Sequence, residues 1–237
     1  MNLLVASVEG MSRFDAVLFD AGGVLVLPDP TVLIPLLAPF DGSATIDDHR
    51  RAHYAGMAAK SHAGSTEGDW SDYDAAYVSS VGVAASDVEL AADVLGHTRS
   101  HHLWRWPIPE TLTALDQLAS AGVPMGVVSN ASGQIEAELE RSRICQAGPG
   151  AGAAMRVVID SDVVGVAKPD PRIFDFALPH FAEFDRSRIV YVGDSVTMDI
   201  GASSAAGLHP ALIDPYGDHD GADFDRIESV ADIVDWF

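Results

Sequence analysis

Short apolar runs recur along this chain, and most of them end in aspartate, serine or glycine before a segment with helical spacing. Strands buried on both faces read as continuous apolar runs, and the helices between them supply the crossovers of a parallel sheet. The pattern therefore predicts an α/β fold with a Rossmann-like, doubly wound parallel sheet. The predicted strands are AVLF at 16–19, PMGVV at 124–128, RVVI at 156–159, RIVYV at 188–192 and PALI at 210–213.

Four segments between these runs have helical spacing and supply the predicted helices: 110–121, 132–143, 171–181 and 197–206. The first keeps its leucines on one face and stops at Gly122, a residue suited to a helix C-terminus. In the third, Asp170 is placed to cap the helix and Pro171 occupies its first position.

The stretch 28–107 departs from this alternation of strands and helices, because it has helical spacing and no strand-like apolar runs. It predicts a helical cap domain of residues 28–107 inserted into a core domain of residues 11–27 and 108–237. Three aromatic residues recur in it at helical spacing and are expected to form an aromatic core stripe: Trp70, Tyr73 and Tyr77.

The formal net charge of -21 argues against a nucleic-acid partner, because phosphate backbones are held by clustered lysine and arginine. No apolar run approaches the roughly 20 residues of a membrane helix, so no membrane partner is expected. Residues 1–11 have no basic leader, so no signal peptide is expected. The single cysteine, Cys145, excludes an internal disulfide and favours a reducing, cytoplasmic compartment. No sequence feature indicates an oligomeric state.

Polar side chains stand where the predicted strands end. Asp20 follows the first strand, Ser129 and Asn130 follow the second, and Asp194 follows the fourth. Ligands of an open parallel sheet bind beyond the carboxyl ends of its strands, so these residues are expected to lie together. Each of them alone also fits a structural role, such as capping a turn.

Two more residues join this set: Asp199, five positions after Asp194, and Lys168, which precedes the third helix. A carboxylate nucleophile, a second carboxylate that shares a divalent cation, small hydrogen-bonding groups and one ammonium are what attack on a phosphoryl centre requires. Mg²⁺ suits such a site, because it prefers oxygen ligands and needs only one or two carboxylates besides the substrate phosphate. No histidine or cysteine cluster supports zinc.

Four motifs occur in order along nearly the whole chain: FDAGGVL, SN, KPDPRIFDFAL and VGDSVTMDIGASSAAGL. Together they resemble the haloacid dehalogenase-like superfamily, in the subgroup with a helical cap inserted after the first strand. The resemblance implies a hydrolase, in most members a Mg²⁺-dependent phosphatase that acts on a small phosphorylated metabolite through an aspartyl-phosphate.

The resemblance also implies roles for single residues. Asp20 would form the covalent intermediate, and Lys168 would steady both the nucleophile and the phosphate. Ser129, with Asn130 and the backbone after it, would bind the transferring group. The metal would lie between Asp20, the carbonyl of Gly22 and Asp194, while Asp199 would orient metal-bound water.

Gly22 is a departure from the family pattern, which usually has a second aspartate there to protonate the leaving group and then activate water. A positioned general acid contributes about 10²- to 10⁴-fold. The sequence therefore predicts faster turnover of aryl, acyl or glycosyl-1-phosphates than of primary alkyl phosphates. The alternative is that a cap side chain, such as His53, Tyr54 or His62, supplies the proton.

Three other functions are compatible with Gly22. A 2-haloacid dehalogenase needs no acid, but such members of the family work without metal, whereas GDSVTMD is of the magnesium type. A phosphonoacetaldehyde-type carbon-phosphorus hydrolase uses a cap lysine as a Schiff base. Lys60 is the only lysine of the predicted cap, but its surroundings do not otherwise resemble that family, and we expect it on a solvated helix face. The third is an inactive relative that only binds a phosphorylated ligand or a protein, although the retained nucleophile argues against it.

Overall fold

The computed structural model describes residues 12–65 and 67–237. Residues 1–11, where no signal peptide is expected, lie outside this description. The described residues contain ten strands: β1 (Ala16–Phe19), β2 (Val26–Pro28), β3 (Trp104–Pro107), β4 (Met125–Ser129), β5 (Cys145–Ala147), β6 (Ala153–Met155), β7 (Val158–Asp160), β8 (Ile189–Gly193), β9 (His209–Ile213) and β10 (Asp225–Ile227).

Six of these strands form one sheet in the order β10-β9-β8-β1-β4-β7, and all neighbouring pairs are parallel. Alternate residues of β1 enter different apolar clusters, with Val17 and Phe19 on one face and Ala16 and Leu18 on the other. Both faces of the central strand are therefore buried, as its continuous apolar run predicts. The predicted α/β fold with a parallel sheet is confirmed, and β10 adds an edge strand that the sequence pattern does not reveal.

Eight α-helices lie in the described part of the chain: α1 (Pro30–Leu37), α2 (Ile46–Ala63), α3 (Ser71–Ser80), α4 (Val88–Thr98), α5 (Pro109–Ser120), α6 (Ile135–Arg141), α7 (Ser161–Val164) and α8 (Gly201–Ala205). The predicted helix at 171–181 is instead two short 3-10 helices, Pro171–Phe176 and Leu178–Phe181. Pro179 lies inside that segment and has no N–H to donate, which accounts for the break. The predicted helix at 197–206 begins as a π-helix, Val196–Ile200, before α8.

The helices α1 to α4 lie between β2 and β3, and we call residues 29–103 the helical insertion. The two strands pair antiparallel at its base, so the expectation of no strand within 28–107 is wrong for β3. The helices pack on one another through a separate apolar cluster that includes Tyr73 and Tyr77. Trp70, the third member of the predicted aromatic stripe, is only partly buried and packs against this cluster.

The long helix α2 carries several side chains toward the sheet. The Thr45 side chain accepts a hydrogen bond from the Asp48 amide at 3.2 Å, which caps the first turn of this helix. Gly64, with a φ of 67°, ends it.

None of the helices in residues 12–65 and 67–237 has the length and apolarity needed to cross a membrane.

Candidate active site

The carboxylates that follow β1 and β8 meet at one edge of the sheet. These strands are neighbours, so Asp20 and Asp194 leave the sheet side by side. Carboxylate oxygens of Asp20, Asp194 and Asp199 lie within 4.8 Å of one another. Three oxygen donors at this spacing fit a hard divalent cation such as Mg²⁺.

Lys168 is buried against this cluster. Its Nζ lies 3.1 Å from Asp20 Oδ1 and 2.6 Å from Asp199 Oδ1, and it donates to the Tyr191 hydroxyl at 2.8 Å. Burial by itself favours the neutral amine, but attraction to Asp199 and Asp20 outweighs it and raises the pKa of Lys168. Lys168 is therefore a fixed ammonium beside the candidate nucleophile.

The carboxylate of Asp199 accepts hydrogen bonds at both oxygens. Its Oδ1 accepts from Lys168 and, at 3.0 Å, from the Tyr191 hydroxyl. Its Oδ2 accepts from the backbone amides of Asp194 at 3.1 Å and Ser195 at 2.9 Å. These bonds tie the loop after β8 to Lys168, so Asp199 holds the Asp194 backbone in place.

Asp20 and Asp194 have unfavourable electrostatic surroundings. Burial, followed by repulsion from Asp199 and Asp194, raises the pKa of Asp20 to about 7, although Lys168 and a hydrogen bond from Ser129 oppose the shift. Burial and repulsion from Asp199 raise the pKa of Asp194 well above its usual range. Three carboxylates face a single ammonium, Lys168. A divalent cation would supply the missing positive charge.

Ser129 and Asn130 follow β4, on the other side of β1 from β8. The Ser129 hydroxyl hydrogen-bonds the carboxylate of Asp20. The Asn130 amide joins separate parts of the site, because its Oδ1 accepts from the Lys168 backbone amide at 2.8 Å and its Nδ2 donates to the Lys168 carbonyl at 2.9 Å. The same Nδ2 donates to Glu67 Oε2 at 3.0 Å. Asn130 therefore connects the strand end to the loop of Lys168 and to the helical insertion.

Two glycines follow the candidate nucleophile. Gly22 lines the cavity, and a Cβ added to it would lie 3.4 Å from the Trp104 indole, so that indole lies beside the position where the family usually has an acid. Gly23 has a φ of +67°, and a Cβ added there would overlap the Asp194 carboxylate. Gly23 therefore allows this carboxylate to approach the loop after β1 closely.

His53 of α2 reaches the carboxylate cluster from the insertion. Its Nε2 lies 2.9 Å from Asp194 Oδ2, and its Nδ1 lies 3.0 Å from the Tyr73 hydroxyl. Burial lowers the pKa of His53 to about 3, so the imidazole is neutral at ordinary pH. When Asp194 is ionised, as a metal ligand must be, it can only accept; the proton then lies on His53 Nε2, and Tyr73 donates to Nδ1.

The other two cap side chains considered as proton sources lie elsewhere. The Tyr54 hydroxyl donates to the Gly23 carbonyl at 2.8 Å. His62 is exposed and packs against His219, with 5.0 Å between the ring centres. Neither side chain lines the cavity at the carboxylate cluster.

A cavity of about 330 Å³ extends from the carboxylate cluster to the insertion. Lys60 lines it, although only 1% of that residue is exposed, so the expectation of a solvated helix face is wrong. Its Nζ donates to the carbonyls of Asp69 at 2.5 Å and Glu67 at 3.3 Å, and lies 4.2 Å from the centre of the Trp70 ring. Burial lowers the pKa of Lys60.

Sequence reasoning missed three residues at this site: Tyr191, Trp104 and Glu67. Tyr191 stands in a predicted buried strand, where a hydroxyl needs a partner, so its role was open to inference. Trp104 and Glu67 reach the cavity only through the folding of the insertion, and no local pattern marks them.

A family model described as haloacid dehalogenase-like hydrolase matches residues 14–207. The pyrimidine 5'-nucleotidase YjjG of Escherichia coli (strain K12) is 32% identical over 103 residues, which cover 43% of this chain and 42% of that protein. The glyceraldehyde 3-phosphate phosphatase of Methanopyrus kandleri is 29% identical over 156 residues, 61% of this chain and 64% of that protein. The chain thus spans less than two thirds of the length of either relative.

Two solved structures cover most of the chain. The HAD phosphatase from Thermococcus onnurineus has a TM-score of 0.56 at 21% identity, covering 92% of this chain and 95% of that chain. The HAD-hydrolase YfnB from Bacillus subtilis was solved with magnesium bound. It has a TM-score of 0.57 at 16% identity, and the match covers 93% of this chain and 97% of that chain. These similarities support the fold, and the family model, which spans residues 14–207, shows that this chain belongs to the haloacid dehalogenase-like hydrolases.

Proposed function

We propose that this protein is a Mg²⁺-dependent phosphomonoester hydrolase that acts on a small phosphorylated metabolite through an aspartyl-phosphate at Asp20. One observation carries the proposal: Asp20 contacts Lys168 at 3.1 Å within a buried cluster of three carboxylates. A carboxylate next to a fixed ammonium and a cation site is suited to attack a phosphate ester. The two named relatives, a pyrimidine 5'-nucleotidase and a glyceraldehyde 3-phosphate phosphatase, support this substrate class.

Each residue of the site would have its own role in phosphoryl transfer. Asp20 attacks phosphorus, Lys168 offsets charge on the transferring group, and Ser129 with Asn130 and the following backbone holds its oxygens. Asp20, the Gly22 carbonyl and Asp194 would hold Mg²⁺, with Asp199 in support. The cation would reduce the repulsion between the carboxylates and an anionic substrate.

We also propose that residues 28–107 act as the cap domain over a core of residues 11–27 and 108–237. Several hydrogen bonds and ion pairs support this, because they join the insertion to the rest of the chain. Besides His53 and Glu67, the Ser61 hydroxyl accepts from the Val196 amide at 3.2 Å, and Arg51 pairs with Asp218. The single cysteine agrees with a cytoplasmic location.

The experiment that tests this function is a screen of phosphorylated metabolites and 2-haloacids, each with Mg²⁺ and with EDTA. We expect phosphate release that requires Mg²⁺, disappears in EDTA and falls below detection in Asp20→Asn. Turnover that is as fast in EDTA as in Mg²⁺ would instead favour a dehalogenase. Release of halide from a 2-haloacid would favour it as well.

One observation favours a second candidate, the carbon-phosphorus hydrolase: Lys60 is buried in the cavity wall and its pKa is lowered. A Schiff base needs a neutral amine that can reach the substrate. Lys60 instead donates to two backbone carbonyls, so we expect borohydride with phosphonoacetaldehyde to leave the protein unmodified. A covalent adduct at Lys60, detected by mass spectrometry, would reverse this ranking.

A further inference from the structure

Glu67 is a carboxylate of the helical insertion that faces the candidate site. Within the described residues, the cavity is lined by four acidic side chains: Asp20, Asp194, Asp199 and Glu67. The first three form the cluster at the sheet edge. Glu67 comes from the loop between α2 and α3. It is therefore the acidic group that approaches the cavity from the insertion.

Glu67 is held from two sides. Its Oε2 accepts from Asn130 Nδ2 at 3.0 Å, and its backbone carbonyl accepts from Lys60 Nζ at 3.3 Å. Asn130 directly follows Ser129, the residue that hydrogen-bonds Asp20. These bonds fix the Glu67 carboxylate over the strand end that carries the candidate phosphate-binding group.

The charge of Glu67 also reaches the cluster. The pKa of Asp194 is raised mainly by burial and by Asp199, and Glu67 adds to the same shift. The carboxyl of Glu67 therefore shares this cavity with the carboxylates that would surround the reacting phosphate.

Besides Glu67, three ionisable side chains of the insertion line this cavity, and each has partners of its own: His53, Lys60 and Arg99. Both His53 nitrogens have partners, Asp194 and Tyr73. Arg99 pairs with Asp74, and a guanidinium does not give up its proton in proteins. Glutamate, in contrast, serves as general acid and base in many enzymes.

We propose that Glu67 is the general acid and base of this site, replacing the side chain that Gly22 lacks; this inference rests on the proposed phosphatase function. As an Asp20 oxygen bonds to phosphorus, the bond to the leaving oxygen breaks. That oxygen keeps the electron pair and takes the proton of the Glu67 carboxyl. In the second step, the Glu67 carboxylate takes a proton from water while the water oxygen bonds to phosphorus. The bond from phosphorus to Asp20 then breaks, which restores both side chains.

The test is Glu67→Gln, because glutamine keeps the shape and can still accept from Asn130 but has no proton to transfer. Glu89→Gln is the matched control, since Glu89 is an exposed carboxylate of α4 outside the cavity. Rapid-quench experiments with Mg²⁺ follow the first step with p-nitrophenyl phosphate and with glycerol phosphate. A second variant, Glu67→Asp, keeps the acid on a shorter side chain.

In Glu67→Gln we expect a p-nitrophenol burst of one equivalent at close to the wild-type rate, followed by slow turnover, because only the second step needs the base. The first step with glycerol phosphate should fall by about 10²- to 10⁴-fold, because an alkoxide needs the proton. Glu67→Asp should recover part of this rate, and Glu89→Gln should match wild type. An equal loss with both substrates, or no loss, would overturn the role of Glu67. If wild type releases phosphate from neither of these substrates nor from any metabolite of the screen above, the phosphatase function itself fails.

Discussion

The imidazole Nε2 of His53 lies 2.9 Å from Asp194 Oδ2, and both side chains are almost fully buried. The first residue belongs to the helical insertion and the second to the loop after β8. A side chain of the insertion therefore orients a carboxylate that we propose as a metal ligand. Groups that orient metal ligands in this way influence affinity without touching the metal.

His53→Ala is expected to weaken Mg²⁺ binding by roughly tenfold or more, because loss of a supporting hydrogen bond typically costs about 10- to 100-fold in metal affinity or activity. Isothermal titration of the protein with MgCl₂, in the absence of substrate, measures this change. His62→Ala removes an exposed histidine of the same helix and should leave the affinity unchanged. Equal affinities in His53→Ala and wild type would show that Asp194 needs no support from the insertion.

Gly23→Ala is expected to lower both Mg²⁺ affinity and stability. The added methyl group would overlap the Asp194 carboxylate, and the φ of +67° is unfavourable for alanine. Gly22→Ala is the matched control, because a Cβ there makes only a close contact with Trp104. Thermal unfolding and MgCl₂ titration should show a lower Tm and a weaker Mg²⁺ affinity for Gly23→Ala than for Gly22→Ala. Similar Tm values and similar affinities for the two variants would contradict the close approach of Asp194 to Gly23.

Lys168→Met is expected to destabilise the metal-free protein by about 3 kcal/mol at pH 8, because it leaves buried carboxylates without their cation. The loss should be smaller at pH 5, where protonation of Asp20 relieves the repulsion, since burial raises the pKa of that carboxyl to about 7. Urea unfolding at the two pH values measures the difference. A loss that does not depend on pH would indicate that Lys168 contributes mainly packing.

Acidification should destabilise the protein in part through His49. Burial lowers the pKa of this histidine, whose ring nitrogens contact the Tyr77 hydroxyl at 2.8 Å and the Ser43 carbonyl at 2.9 Å. Below the unfolded pKa of about 6.5, the unfolded chain binds a proton that the folded chain does not, so stability falls as the pH falls. The contribution of His49 is at most about 1.4 kcal/mol per pH unit.

The free energy of unfolding measured by urea between pH 7 and pH 5 checks this expectation. His49→Gln removes the titrating group while keeping a polar side chain, so its stability should fall less steeply with decreasing pH. A slope identical to that of wild type would show that His49 is protonated equally in both states.

Much of the sheet could be predicted from the sequence, because strands buried on both faces must be continuously apolar. The five predicted strands are β1, β4, β7, β8 and β9. The grouping of Asp20, Ser129 and Asp194 was also predictable, since the carboxyl ends of parallel neighbours meet at one edge. Local patterns failed where a segment is short or rich in proline, as in the 3-10 helices at 171–181.

Only the tertiary structure decided which side chains of the insertion reach the cavity. His53 was one of three candidates, Glu67 had no distinguishing pattern, and Lys60 was expected on a solvated face. Their positions depend on how α2 packs against α3 and on how the insertion docks on the sheet edge. Strand periodicity is a local property that a sequence displays directly. The approach of two distant segments depends on packing and hydrogen bonds that form only when the chain is folded.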